Sequence, residues 1–514
     1  MSNRSQTYII SDIHIGDNSP TCWYQIDHHE AKLSAALDWI LQDKDQVSEL
    51  VILGDLFDFW TYPPDQPPPT FDQILAKNPN MLGPNGKLTQ VVNALSGNVY
   101  YLNGNHDISV TQDDLNKISA KIKLVPQESL ILERDGHRIA LAHGHYYCIF
   151  NAPDRSTRLK PLPVGHFVTR MIAYHLWQNS DVKAGKMTAP DFKAFGGPGG
   201  AGDMLGNISV AEAKDFLRQP NVAGALLERF AKLYGVPMDQ EFKLSATQSI
   251  KLSDAMALYD GLWTRWTQSG DPIEWNTAWK AFWADTTGDY MAWFAQRLAM
   301  TANAEVVVMG HTHVPKLGIV ALDNYVNVGF GCPPTPDLDK QGFTFAHLST
   351  TPNQPVFAEI LQVAQQPSVV GAPLQVTPIS PPADNIIGSD SRLNVLAADF
   401  SCYVEVINNS DHDLVVRSID VPRFGHWVTG LSDIPKGSRG AFWVQDEGLI
   451  QQTAIRSWQG FYGSQGKVAY ERSGPDDLIA IDFSCPTVDP NSVTVNGQNV
   501  QILAKSGDDT DWTK

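Results

Sequence analysis

Residues 7–11, 50–53, 98–102, 138–142 and 305–309 are short, largely apolar runs, and each leads into aspartate, asparagine or histidine. Apolar runs of this length bounded by polar turns predict strands buried on both faces. Residues 30–43 place Leu33, Ala36, Leu37, Ile40 and Leu41 at helical spacing, which predicts an amphipathic helix. A second helical segment is predicted over 113–121. Strands alternating with helical or long connections predict an α/β sheet with parallel pairs.

The pattern breaks off after 145 for far longer than an ordinary loop. Residues 146–303 predict mostly helices, over 211–217, 223–234, 253–268, 277–285 and 289–301. Trp275, Trp279 and Trp283 recur every fourth residue, which favours an aromatic helical core over a ligand-stacking stripe. The glycine-rich run 196–202 lacks the Lys-Ser/Thr of a phosphate cradle and is expected to be a loop. Further strands are predicted over 318–322, 325–328, 343–348 and 356–361. A Pro-, Ser- and Gly-rich stretch, 363–390, reads as a linker. Beyond it, short alternating runs at 402–407, 414–419, 440–444, 467–470 and 478–483 predict a small all-β sandwich. The expected organisation is therefore an α/β domain of residues 1–150 and 304–362, a mainly helical insertion of 151–303, and a sandwich of 391–514.

Composition narrows the class. At 514 residues the chain exceeds one ordinary core, and 43% hydrophobic with 18% charged residues is globular. No run is long enough to span a bilayer, and the first residues lack a secretory pattern, so a cytoplasmic location is expected. A formal charge of −18 argues against a long nucleic-acid partner. Five scattered cysteines without a Cys-x-x-Cys pair argue against a thiolate zinc site, and buried free thiols are favoured over a Cys402–Cys485 bridge.

The chemistry lies at the strand ends. Five of them deliver Asp12 and His14, Asp55 and Asp58, Asn105 and His106, His143, and His311 and His313. Carboxyl ends of parallel strands form the crevice of an open α/β sheet, so residues distant in sequence converge there. Each fragment alone reads as a turn, but five in order read as a site. Carboxylate, imidazole and amide donors without sulfur suit divalent Mn, Fe, Zn, Co or Ni, and they are too many for one tetrahedral ion. Two ions about 3.5–4 Å apart sharing a carboxylate and a hydroxide would hydrolyse a phosphate ester.

In order, Asp12-x-His14, Gly54-Asp55-x-x-Asp58, Gly104-Asn105-His106-Asp107, His143 and Gly310-His311-x-His313 resemble the motifs of the calcineurin-like metallophosphoesterases. The resemblance implies a four-layer αββα sandwich. It implies one ion on Asp12, His14, Asp55 and His313, and a second on Asp55, Asn105, His143 and His311. It also implies that a metal-bridging hydroxide attacks phosphorus while His106 stabilises or protonates the leaving oxygen, with Asp107 orienting His106 and Asp58 outside the ligand set. The motifs look most like the branch containing UDP-2,3-diacylglucosamine hydrolase, but His106 and His145 stand where that enzyme has arginine and aspartate. The reaction type therefore carries over without the substrate: a phosphate mono- or diester, small or lipid-linked, with a nuclease or cyclic-nucleotide phosphodiesterase as alternative. His145, Arg155, Arg158 and Lys160 are candidate substrate contacts, His28 and His29 are expected to be solvated, and the insertion is expected to lid the cleft. Residues 404–410, 434–438 and 466–470 resemble aegerolysin-like β-sandwiches. That likeness implies a lipid- or membrane-binding module with Trp427, Trp443 and Trp458 at the interface, the phosphoesterase fold then serving as scaffold; the alternative is a sandwich with core tryptophans.

Overall fold

The first apolar run forms β1 (Gln6–Ile10), and its alternation decides the layering. Tyr8 and Ile10 point into one core and Ile9 into another. The same split recurs in β2 (Val47–Leu53), where Leu50 and Ile52 face away from Val51 and Leu53. A strand with apolar side chains on both faces must be covered on both. In this computed structural model the described residues are 4–153, 162–189, 191, 216, 219–266, 272–286, 288, 290–319, 322–331, 342–365, 373–384, 402–419, 425–429, 431–446, 465–472, 478–485, 492–496 and 499–506.

β1 and β2 continue in parallel with β3 (Val99–Leu102) and β4 (Ile122–Leu124). On the other edge of β1, β12 (Phe343–Ser349), β13 (Phe357–Gln365) and β14 (Leu374–Ile379) pair antiparallel, giving a seven-stranded sheet. A second sheet is built from β5 (Leu130–Arg134), β6 (His137–Leu141), β9 (Val306–Met309), β10 (Lys316–Ile319) and β11 (Leu322–Asn327). Its spatial order is β10-β11-β9-β6-β5. The sheets pack face to face through Ile9, Val51, Leu53, Ile139, Leu141, Val306 and Val308. Helices Ala31–Gln42 and Lys87–Ala94 cover the first sheet, and helices of residues 164–302 cover the second. The result is the expected four layers.

β6 and β9 are parallel neighbours, so the long excursion between them leaves and re-enters the sheet side by side. It carries helices Val164–Trp177, Val222–Tyr234, Pro272–Thr286 and Met291–Ala302, and a hairpin of β7 (Glu241–Lys243) and β8 (Ser249–Lys251). Trp279 and Trp283 are buried there as core. The glycine-rich run 196–202 and the helix expected at 211–217 fall outside the described residues, apart from Phe216. The helix expected over 253–268 is two, Leu252–Leu258 and Leu262–Trp266, broken where Gly261 takes a positive φ. Arg170 is wholly buried and held by carbonyls: Nε donates to Tyr62 (3.1 Å), Nη1 to Lys243, and Nη2 faces Pro63 (2.9 Å), Pro64 and Gln66.

Two boundaries differ from expectation. The runs at 318–322 and 325–328 resolve into the hairpin β10–β11, and residues 374–379, read as linker, form β14 at the sheet edge. Alternating half-buried and exposed positions with an internal proline are what an outer strand tolerates, so β14 carried little apolar signal.

The C-terminal region is all-β. Gly425–Thr429, Arg439–Asp446, Cys402–Asn408 and Val500–Ser506 form one antiparallel sheet. Leu414–Ile419, Gln465–Arg472, Leu478–Ser484 and Ser492–Asn496 form the other. Cys402 and Cys485 are both buried. Trp427 packs on Phe442 and Phe483, and Trp443 is fully buried between Tyr403 (4.7 Å) and Trp293 of helix Met291–Ala302 (5.1 Å). Trp443 is thus core, whereas Trp427 is half-buried; Trp458 lies outside the described residues. Among the described residues no helix is long and apolar enough to cross a membrane.

Candidate metal centre

β1, β2, β3, β6 and β9 end at one rim, and their next residues bring the motifs together. His14 Nε2 and His313 Nε2 face each other at 3.2 Å, and His313 Nε2 lies 3.2 Å from Asp12 Oδ1. His143 Nε2 lies 3.3 Å from both Asp55 Oδ2 and Asn105 Oδ1. Asp55 Oδ2 is also 3.9 Å from His14 Nε2, which sets this carboxylate between two ligand groups. Asp12, His14 and His313 form one set of converging donor atoms, and Asp55, His143 and His311 another.

Close approach dictates the glycines. A Cβ on Gly310 would stand 2.5 Å from Asp12 Oδ2, and one on Gly104 would collide with the Asp55 carboxylate. Asp12, His14, Asp55, His311 and His313 all have positive φ, between 51° and 69°. A non-glycine residue there costs about 1–2 kcal/mol, so five together mark a backbone held against its preference at a functional site.

The first contacts outward fix the donors. His143 Nδ1 donates to Leu53 O at 2.7 Å, which leaves Nε2 to face Asp55. His14 Nδ1 lies 3.4 Å from Asp58 Oδ2, a charge contact rather than a hydrogen bond, while its Nε2 faces His313. Asp55 Oδ1 accepts from the His106 amide at 2.8 Å, and Asp12 accepts from Ser11 Oγ (2.6 Å) and the His311 amide (3.0 Å). Burial opposes ionisation of Asp12, but His143 and His313 outweigh it and hold the carboxyl down at about 2. Burial lowers His143, yet Asp55 and Asp12 hold it up at about 9. Burial brings His311 down to about 3.

The oxygen and nitrogen donors fit divalent cations, and some of the nitrogens have nothing else to bind. His311 Nδ1 and both nitrogens of His145 are buried without a hydrogen-bond partner among the described residues. A buried unpaired polar atom costs about 1–3 kcal/mol, which a cation or substrate would relieve.

The predicted support of His106 changes partner. Asp107 turns away: its carboxylate accepts from the Gly104 amide (2.7 Å), the Phe57 amide (3.3 Å) and the Tyr101 hydroxyl. Burial, then Asp55, pushes its carboxyl up to about 7. Asp58 orients His106 instead, with Oδ1 3.2 Å from His106 Nδ1 and braced by the Trp60 amide at 2.7 Å. The neighbour in sequence lost because nearby backbone N–H groups captured its carboxylate. Burial lowers His106, but Asp58 and Asp55 raise it overall.

His145 is fully buried beside His143 (5.3 Å) and His311 (6.4 Å). Arg155, Arg158 and Lys160 lie outside the described residues. His29, expected in solvent, is buried against Gln25 in the turn before the first helix; His28 is half-buried. Three groups went unread in the sequence. Trp23 is half-buried, with its ring 4.7 Å from His14, 5.0 Å from His106 and 5.9 Å from His313. Trp60 stacks on His106 at 4.3 Å. Asp285, from the insertion, accepts from the Phe150 and Asn151 amides and from Asn151 Nδ2. Cys148 and His311 also approach that carboxylate. No local motif announces Asp285; only the fold brings it in.

Residues 6–227 match the family model described as calcineurin-like phosphoesterase. The chain is also 29% identical over 143 residues to UDP-2,3-diacylglucosamine hydrolase of Bordetella parapertussis and of Bordetella bronchiseptica, covering 27% of this chain and 46% of each relative. The same enzyme of Bordetella pertussis matches at the same identity and coverage. The chain thus spans about half the length of the curated relatives it matches. The family match ends before β9, yet β9 completes the second sheet and His311 and His313 complete the donor groups. Over residues 6–227 the chain is thus similar to the calcineurin-like phosphoesterases, and the layered sheets and convergent donors agree with that match.

Proposed function

We propose that the protein hydrolyses a phosphate mono- or diester with two divalent cations, one held by Asp12, His14, Asp55 and His313 and the other by Asp55, Asn105, His143 and His311. The observation that carries this reading is the convergence of these side chains on Asp55, with buried nitrogen atoms left unpaired beside them. Bound there, two cations supply an acidic water and neutralise phosphate oxygens. The chain's own groups do the rest. Asp55, with one oxygen anchored by the His106 amide, keeps the other aimed between the two donor groups. His106, whose proton affinity burial lowers but Asp58 and Asp55 raise overall, packs on Trp60 and protonates the leaving oxygen from Nε2. Trp23 walls the first donor group and limits water.

The substrate class follows from chemistry that is only partly shared with the relatives. They are named for a UDP-linked diacylated sugar, which supports a phosphate ester of a small or lipid-linked molecule. His106 and His145 depart from that enzyme, so the leaving group is expected to differ. The insertion, which follows His143 in sequence and returns Asp285 to the loop after it, is read as the lid. Turnover of p-nitrophenyl and bis-p-nitrophenyl phosphate with manganese tests the reaction; no turnover, or full turnover in Asp55→Ala and His311→Ala, refutes it. A panel of DNA, cyclic AMP and nucleoside diphosphate esters then separates the substrates.

A further inference from the structure

Asn105 is the one candidate ligand whose side chain has no built-in polarity. An amide can offer a cation its oxygen, which binds, or its NH2, which repels, and the two ends have almost the same shape. Asn105 Oδ1 lies 3.3 Å from His143 Nε2, while Nδ2 donates over 3.2 Å to Asn151 Oδ1. Asn151 is itself an amide, and its Nδ2 donates over 2.5 Å to Asp285 Oδ1. Asp285 is fixed in turn by the Phe150 and Asn151 backbone amides, and the same helix takes the Ile149 amide at Ala281 O (3.3 Å).

The chain of donors runs one way. Burial pushes the Asp285 carboxyl up to about 7; in its ionised form it accepts and does not donate, so Asn151 then turns its NH2 to Asp285 and its oxygen to Asn105. That oxygen in turn admits only the NH2 of Asn105, which leaves the Asn105 oxygen facing the centre. We propose that Asp285 and Asn151 are positioning residues that set the polarity of the Asn105 amide and so make it a ligand of the second cation. The inference rests on the dinuclear reading above. It gives the helical insertion a chemical role, because its helix Pro272–Thr286 finishes a ligand that β3 begins.

Groups that support a ligand through hydrogen bonds typically change metal affinity about 10–100-fold when removed. Calorimetric titration of the full-length, metal-stripped chain with manganese chloride tests this without turnover. The wild type is expected to bind two ions. Asn151→Ala, which leaves the backbone anchors of Asp285 in place, should weaken one ion about 10–100-fold and leave the other within about threefold. Asp285→Ala should weaken the same ion, and the double variant should lose no more than the larger single loss, because both act on one amide. Unchanged affinities, equal weakening of both ions or additive losses would overturn the relay. Should Asp285→Ala not fold, Asn151→Ala decides alone. A wild type that binds no manganese overturns the phosphoesterase reading and the relay with it, whereas a wild type with two ions and unaffected variants overturns the relay alone.

Discussion

Two buried polar regions of this protein have opposite fates. Arg170 is sealed in the insertion with carbonyls for every donor nitrogen, whereas the Asp12–Asp55–His143 cluster is bordered by imidazole nitrogens with no hydrogen-bond partner among the described residues. Burying a charge is tolerable only when its hydrogen bonds are replaced. The Arg170 guanidinium meets that condition from the fold alone and clasps the loop 62–66 to the hairpin β7–β8. The strand-end cluster meets it only in part, and five residues of strained backbone hold it open. One arrangement is architecture; the other is the proposed binding site.

The comparison can be broken in several ways. Asp55→Ala removes the shared carboxylate and should lower manganese-dependent ester hydrolysis by roughly a thousandfold or more, read as kcat/KM. Arg170→Ala leaves the surrounding carbonyls without donors and should cost about 3 kcal/mol in urea unfolding, with Arg170→Lys intermediate because an ammonium lacks the planar fork. Manganese at a hundredfold excess over its dissociation constant should add about 2.7 kcal/mol to the unfolding free energy of the wild type, and far less to Asp55→Ala. Removal by EDTA should reverse it. Asp58→Asn should lower kcat about 10–100-fold and shift the acid-releasing limb of the pH profile down, because His106 loses the charge that raises it. Asp107→Asn should alter stability and leave that limb in place. The smallest effect is a proton count. His143, held up at about 9, is charged at neutral pH in the metal-free protein, and a cation must displace that proton. Binding should therefore release about one proton from this site near pH 7, affinity rising with pH until about 9, as calorimetry in buffers of different ionisation enthalpy would show.

The layered sheet and the donor set were legible because both follow local rules. Residues 8–10 and 50–53 alternate between two cores, and ligands at strand ends come with glycines such as Gly310 that admit them. What stayed hidden depended on competition or distance. Asp107 sits beside His106 in sequence, but the Gly104 and Phe57 amides take it, and Asp58 orients the imidazole in its stead. Asp285 reaches the centre only because helix Pro272–Thr286 packs against the loop after His143. Trp443 could be read equally as an interfacial or a core aromatic, and packing against Trp293 and Tyr403 settles it as core. β14 was missed because an edge strand with an internal proline carries little apolar signal.

The neighbouring positions of β6 and β9 have a consequence for how such an enzyme diversifies. Closing a longer connection between adjacent strands costs only about 0.6 kcal/mol per doubling of length, so the segment from 142 to 305 can grow or be exchanged without re-registering either sheet. If the insertion lids the site as proposed, specificity could be rewritten by transplanting one continuous cassette. Under the relay proposed above, a transplant that omits a counterpart of Asp285 would keep the fold and weaken the proposed second cation site.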